Sequence, residues 1–322
     1  MNKLKKLGLS ALAGSLVAFS ANAEMTVSGG ASVGVSAGHD DRATAYYMND
    51  SVKFSFSGET DNGLTVTQYI ELEGSADDQN TSIAGDFGTL TFHKKGGSSV
   101  MSGWDDMTPN AYEEVWALAT FDTNTTGANG EVSVINGMSG ASLWRYDSPD
   151  FGGVTVHASY LQAEQAATES SGASVGSYND FGIKVSPSMM EGLTIGYAFG
   201  EVDETATVAN DESTIWVTYA NGPFTVGYQS SEVDGATASQ DDESIAYSVS
   251  YAVSDDLSVS YGVHEMDLGD RTSDQESSGF SASYTTGGVS ISLAMNQVDN
   301  AGGQTAASAD IEAFDLNVAF AF

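Results

Sequence analysis

Bases are scarce in this chain. Among 322 residues there are 10 Lys and Arg against 44 Asp and Glu. Three of the ten, Lys3, Lys5 and Lys6, belong to the N-terminal leader discussed below, which leaves 10 − 3 = 7. Lys53, Lys95, Arg145 and Lys184 take the polar parity of alternating segments, and His93, His157 and His264 share it. The segments bearing His93, Lys95, Arg145, His157 and Lys184 are consecutive, so these groups form one basic wall. Asp105, Asp106, Glu113 and Glu114 carry the opposite sign and sit in the longest connection, 96–140. A basic wall facing an acidic loop across water creates a transverse field, which sorts ions and orients dipolar solutes at close quarters.

Bond-making chemistry has little support. There is no HExxH zinc site, no GxSxG elbow and no phosphate-cradling glycine motif. The histidines lie on different segments without a ligand cluster. The expectation is therefore a protein that is not an enzyme and carries no resident cofactor.

The elements that would position these charges are strands. Apolar and polar residues alternate in "LTVTQYIEL" (64–72), "LTIGYAF" (193–199), "STIWVTY" (213–219), "SIAYSVSYAV" (244–253) and "LSVSYGV" (257–263). Period two places one residue class on each face of a strand. Seven short turn signals, from "DNG" (61–63) to "TGG" (286–288), alternate with eight longer connections near 36–49, 75–79, 96–140, 162–178, 202–211, 231–243, 267–276 and 297–309. Seven and eight make fifteen connections, hence sixteen strands with both ends of the chain on the turn side. Short turns on one side and long loops on the other are the signature of a transmembrane β-barrel. Within the longest connection, "NAYEEVWALAT" (110–120) is expected to form a short helix, and a loop of such length folds inward and narrows the barrel.

Face chemistry separates a membrane barrel from a soluble sandwich. A sandwich would place charge opposite its apolar face. Here that face carries small uncharged residues, such as Thr194, Gly196 and Ala198, or Ser258, Ser260 and Gly262. The apolar face holds Tyr160, Tyr197, Tyr228, Tyr247, Tyr251, Tyr261 and Tyr284, several near strand ends where interfacial girdles form. The two lumen aromatics of this pattern are Tyr69 and Trp216.

Residues 1–23 run from lysines through "LGLSALAGSLVAF" to the small residues Ala21 and Ala23, the order of a signal peptide cleaved after Ala23. The remaining 24–322 read as one barrel domain of net charge 7 − 44 = −37, unsuited to nucleic acid. It has no cysteine, so disulfides do not stabilise it. No later run reaches 18 apolar residues, which excludes helical spans and leaves a barrel open. Acids in "HDD" (39–41), "ADD" (76–78), "VDE" (202–204), "NDE" (210–212) and "QDDE" (240–243) fall in or beside predicted outer loops. There they serve loop solubility or bind Ca²⁺ or Mg²⁺ weakly, tying the loops to anionic lipopolysaccharide. The closing run "IEAFDLNVAFAF" puts Phe314, Leu316, Val318, Phe320 and Phe322 on the lipid parity, and it must pair with the first strand to leave no edge.

"GDFGTLTFHKK" (85–95) and "SLWRYDSPDFGGVTVHASY" (142–160) resemble the Gram-negative general porin family, closest to its alphaproteobacterial members, and the terminal Phe322 resembles its assembly signal. The resemblance implies an outer-membrane homotrimer of 16-stranded antiparallel barrels. Each would pass small hydrophilic solutes and ions passively through a pore constricted by the third outer loop, with loop acids opposing wall bases. Many members have Gly-Arg where this chain has His93-Lys94. Parity turns Lys95 inward, whereas the resemblance points to Lys94. The overall charge implies a preference for cations. A substrate-specific channel and a non-conducting adhesin barrel are the alternatives.

Overall fold

A computed structural model of the chain describes residues 24–38, 44–119, 134–135, 137–140, 142–162, 177–205, 208–305 and 309–322. The leader 1–23, the acidic triplet at 39–41 and the middle of the long connection lie outside the described residues. In chain order the strands are β1 (Glu24–Gly38), β2 (Ala45–Glu59), β3 (Thr65–Glu73), β4 (Ser75–Gly85), β5 (Gly88–Lys95), β6 (Gly97–Ser98), β7 (Ser139–Gly140), β8 (Leu143–Asp147) and β9 (Val154–Leu161). They continue with β10 (Tyr178–Val185), β11 (Leu193–Thr205), β12 (Val208–Asn221), β13 (Phe224–Asp234), β14 (Asp242–Ala252), β15 (Leu257–Leu268), β16 (Gln275–Thr286), β17 (Val289–Asp299) and β18 (Ile311–Ala321). Sixteen of them close one antiparallel barrel, while β6 and β7 form a separate two-stranded pair inside the long connection.

Antiparallel pairing keeps partners on one face, so the alternation of each strand becomes two continuous surfaces. Tyr261 faces Phe280 across one pair of strands and Ser260 faces Ser281. Tyr197, Phe199, Tyr228, Tyr247, Tyr261 and Phe280 are all exposed outward, whereas Ser260, Ser281 and Ala198 are buried inward. An apolar exterior around a polar interior is the arrangement hydrocarbon requires. The seam closes as expected: β18 pairs β1 from Gly30 with Ala321 to Gly38 with Ala313. Beyond it the Gly29 and Phe322 backbones exchange hydrogen bonds of 3.0 and 2.9 Å.

Three expectations are corrected. Residues 75–79 are strand rather than loop, because β3 reverses into β4 at Gly74, whose φ of +70° permits a one-residue turn. The acid-rich positions 202–204, 210–212 and 242–243 likewise lie in β11, β12 and β14. Ladder pairing satisfies the backbone whatever the side chain, so the strands run on beyond the apolar band. Residues 110–119 form separate turns instead of a helix, with Ala117 N–H on the Glu114 carbonyl at 3.2 Å and Ala119 N–H on Trp116 at 2.8 Å.

Candidate functional site

The segment after β6 has no ladder of its own, so its backbone groups need partners from elsewhere. Inward polar side chains supply them in sequence around the wall. Val100 N–H donates to Ser159 Oγ of β9 at 3.0 Å, and Met101 N–H to Asp180 Oδ2 of β10 at 2.8 Å. Met107 N–H reaches Gln229 Oε1 of β13 at 2.7 Å, and the Gln229 amide returns a bond to the Trp104 carbonyl at 2.6 Å. Ser248 of β14 donates to the Pro109 carbonyl. Ala111 and Tyr112 N–H groups donate to Ser260 and Ser281 at 2.9 and 3.1 Å. Asn296 of β17 donates to the Glu114 carbonyl at 2.9 Å, and Tyr112 OH donates to Asp315 Oδ1 of β18 at 3.0 Å. Residues 99–114 thus line the inner wall from β9 round to β18.

Small inward residues make room for this segment. Trp104 packs edge-on against Trp216 of β12 at 5.4 Å. Val100, Met101, Trp104, Ile135 and Trp216 form an apolar core inside the barrel. A Cβ on Gly182 of β10 would lie 2.6 Å from Val100 Cγ1 and 2.9 Å from the Trp104 ring. Small residues that suggest open water in the sequence therefore serve, on this side, as seats for the segment. Gly182→Val, at an overpacking cost of about 1–3 kcal/mol, should lift the segment and raise single-channel conductance. An unchanged conductance would contradict this packing role.

The basic residues are largely committed. Arg145 of β8 bonds Asp147 through Nε at 3.2 Å and holds the Ser98 and Ser99 carbonyls through Nη1 at 3.0 and 3.1 Å. His157 of β9 bonds Asp147 through Nδ1 at 2.6 Å and Thr155 through Nε2 at 3.0 Å, with Trp104 edge-on at 5.5 Å. Lys53 of β2 pairs with the buried Glu71 of β3 at 3.1 Å. Lys95 donates to the Ala76 carbonyl at 3.3 Å. His93 shares its face, opposite Leu143 and Asn80. Lys184 lies inward between Thr155 and Gly196. Lys94 is exposed and is the extra residue where the β4–β5 register shifts from Asn80 opposite His93 to Gln79 opposite Lys95. Among the described residues no ion pair joins a wall base to a loop acid.

The loop acids crowd one another instead. Burial first, then the nearby Glu114 charge, pushes the Asp105 carboxyl up to about 6. Burial, with a hydrogen bond and charge from Glu114, raises Asp106 strongly. Burial, then Glu114 and Asp315, lifts Glu113 to about 7. Glu113 borders a lumen cavity of about 860 Å³ together with Tyr47, Tyr112, Ser292, Asp315 and Asn317. Asp180, Gln229 and Asp315, which organise the site, were not among the sequence-derived candidates. Their signal was available: a carboxylate or carboxamide on the inward parity of an otherwise small-residue face.

Comparison with known proteins agrees with this architecture. The family model described as Gram-negative porin matches residues 8–300. No curated protein matches the chain. Among solved structures, a porin refined at 1.8 Å resolution is 18% identical, with a TM-score of 0.67 over 93% of this chain and 100% of that one. The anion-selective porin of Comamonas acidovorans is 16% identical, with a TM-score of 0.67 and the same coverage of both chains. The trimer form of OmpT, an outer membrane protein of Vibrio cholerae, is 12% identical, with a TM-score of 0.67 over 94% of this chain and 100% of that one. A closed sixteen-stranded barrel, an apolar exterior and a family match over nearly the whole chain lead to one assignment: the chain belongs to the Gram-negative porin family, a family of outer-membrane channels rather than enzymes.

Proposed function

We propose that this porin passes small hydrophilic solutes and ions passively, prefers cations, and is constricted by the connection between β5 and β8. The observation that carries the reading is the charge balance beside the inserted segment. Asp105, Glu113 and Glu114 have no ion-pair partner among the described residues, while Asp147 pairs with Arg145 and His157, and Glu71 with Lys53; Asp106, raised strongly by burial and Glu114, stays protonated and adds no charge. Once ionised, these unpaired loop carboxylates make the lumen beside the segment negative, and a negative lumen concentrates cations. The barrel alone does not set this sign, since the similar Comamonas protein is anion-selective. Reversal potentials in planar bilayers under a KCl gradient test the proposal, and anion selectivity would overturn it.

The raised carboxyls make that selectivity depend on pH. Asp105 near 6 and Glu113 near 7 are protonated at pH 5 and ionised at pH 8. Cation preference should therefore grow across this window, and a flat profile from pH 5 to 8 would contradict the placement of both acids. The linkage has a definite sign. A carboxyl whose pKa is raised on folding binds more protons folded than unfolded, so its contribution favours the inserted segment at acid pH and fades as pH rises through 7.

Two further readings are weaker. A sugar-specific slide needs open lumen aromatics, but Trp216 is buried beneath Trp104 and the Tyr69 hydroxyl is held by Glu71 at 2.7 Å. A plugged adhesin barrel fits poorly with the open cavity beside Glu113. We propose in addition a homotrimer, as in the trimer form of OmpT, exported with a leader cleaved after Ala23. N-terminal sequencing of the membrane form should then begin at Glu24.

A further inference from the structure

The seam between β18 and β1 holds a carboxylate that belongs to neither the loop acids nor the wall bases. Asp315 is 5% exposed. Its oxygens accept hydrogen bonds from Ser36 of β1, from Tyr47 of β2 at 2.9 Å, and from Tyr112 of the inserted segment at 3.0 Å. Asn317 Nδ2 donates to the Tyr47 hydroxyl at 3.0 Å and so orients it. All these donors are neutral. They satisfy the oxygens of Asp315 without cancelling its charge, and no basic residue pairs with it among the described residues.

That charge borders the lumen. Asp315 and Glu113 line the same 860 Å³ cavity, whose other walls combine hydroxyls and amides such as Ser32, Asn49, Ser283 and Ser292 with the apolar Ala117, Leu118 and Ala319. Neutral oxygens of this kind replace part of an ion's water while a fixed carboxylate supplies the attraction. The described residues contain no cluster of three or more His, Cys, Asp or Glu side chains able to hold a metal ion, so the arrangement suits passing monovalent cations rather than a coordinated divalent one.

We infer that Asp315 is a selectivity-determining residue of the pore, a second fixed negative charge that acts with Glu113 on alkali-metal and small organic ammonium ions in the cavity beside the seam. The inference rests on the cation-preferring reading above and adds a residue from the closing strand to the loop acids. The groups facing Glu113 are Glu114, Asp106 and the Tyr112 hydroxyl on its own segment, and Asp315 with the Tyr47 hydroxyl across the cavity.

Reversal potentials of Asp315→Asn in a KCl gradient, measured from pH 5 to 8, provide the test. The potassium-to-chloride permeability ratio at pH 8 should fall by roughly a factor of three, the scale expected from removing one fixed charge a few ångströms from the path. The midpoint assigned to Glu113 should also move to lower pH, because one of the charges that raises it is gone. A purely structural role for Asp315 would not move that midpoint. Tyr112→Phe keeps the charge and removes one hydrogen bond, so it should leave ratio and midpoint near wild type. If it reproduces the Asp315→Asn profile, Asp315 is only an anchor and the inference fails. An unchanged ratio and midpoint in Asp315→Asn overturn it too. Should wild type prove anion-selective, the functional reading falls by itself, yet Asp315→Asn must still shift the ratio further toward chloride. Asp315→Ser, the residue type already facing inward at Ser36, is the second variant if the asparagine disturbs closure. Loss of the heat-modifiable barrel in both variants would mark Asp315 as structural and end the inference.

Discussion

Asp180→Ala should release the root of the inserted segment and give a pore of larger, noisier conductance. The Asp180 carboxylate is fully buried and accepts Met101 N–H at 2.8 Å and Tyr178 OH at 2.9 Å through one oxygen. Removing it strands two buried donors, each costing on the order of 1–3 kcal/mol when unpaired. Arg145 still holds the Ser98 and Ser99 carbonyls, so the connection stays tethered at its start while residues 100–107 lose their hold on β10. The barrel itself keeps every strand pair, so heat modifiability should match wild type. Single-channel recording decides: a steady wild-type level in Asp180→Ala would show that the segment is held in place by the Trp104 packing alone.

Deleting Phe322 should reduce folded, heat-modifiable porin at least several-fold before it changes conductance. Its backbone makes the last two hydrogen bonds of the seam, both to Gly29. Its ring lies across the outward face of β1, where a Cβ on Gly29 would stand only 2.7 Å from Phe322 Cζ. Without residue 322 the Gly29 N–H and carbonyl are left open near the membrane interface, where unpaired backbone groups are expensive. The same aromatic corresponds to the assembly signal that the family resemblance implies. Quantifying trimer by unheated gel electrophoresis tests the prediction, and wild-type amounts from the truncated gene would refute it. Barrels that do assemble should conduct normally, because Phe322 points away from the lumen.

The parity of Phe314, Leu316, Val318 and Phe320 against Ala313, Asp315 and Asn317 was legible in the closing run, and the seam uses it unchanged. The register shift between His93 and Lys95 breaks the alternation there, whereas Arg145, His157 and Lys184 share the inward face of their strands. Their employment was less legible. Arg145 and His157 read as free charges facing the loop, yet Asp147, in the turn-proximal "YDSP" stretch, binds both. An i, i+2 contact along one strand and a cross-strand contact from Asp147 to His157 are both compatible with the pattern, but the pattern does not say which polar groups meet. The helix expected at 110–120 failed for a related reason. Its local sequence allows a helix, but contacts with the wall hold the segment against β15, β16 and β17 through Ala111, Tyr112 and the Glu114 carbonyl.

By itself, then, the sequence determined the sixteen strands, their two faces and the closing role of the last one, because a period of two is a property of neighbouring residues and survives any packing. The side of the lumen taken by the long connection, the neutralisation of the basic wall and the isolation of Asp315 among hydroxyls were decided only in three dimensions. The bonds that seat the segment and surround Asp315 join partners far apart in the chain, from 59 residues for Val100 with Ser159 to 279 for Ser36 with Asp315. No local periodicity encodes such distances; they exist only once the barrel has closed and brought its inward polar side chains to face the segment within.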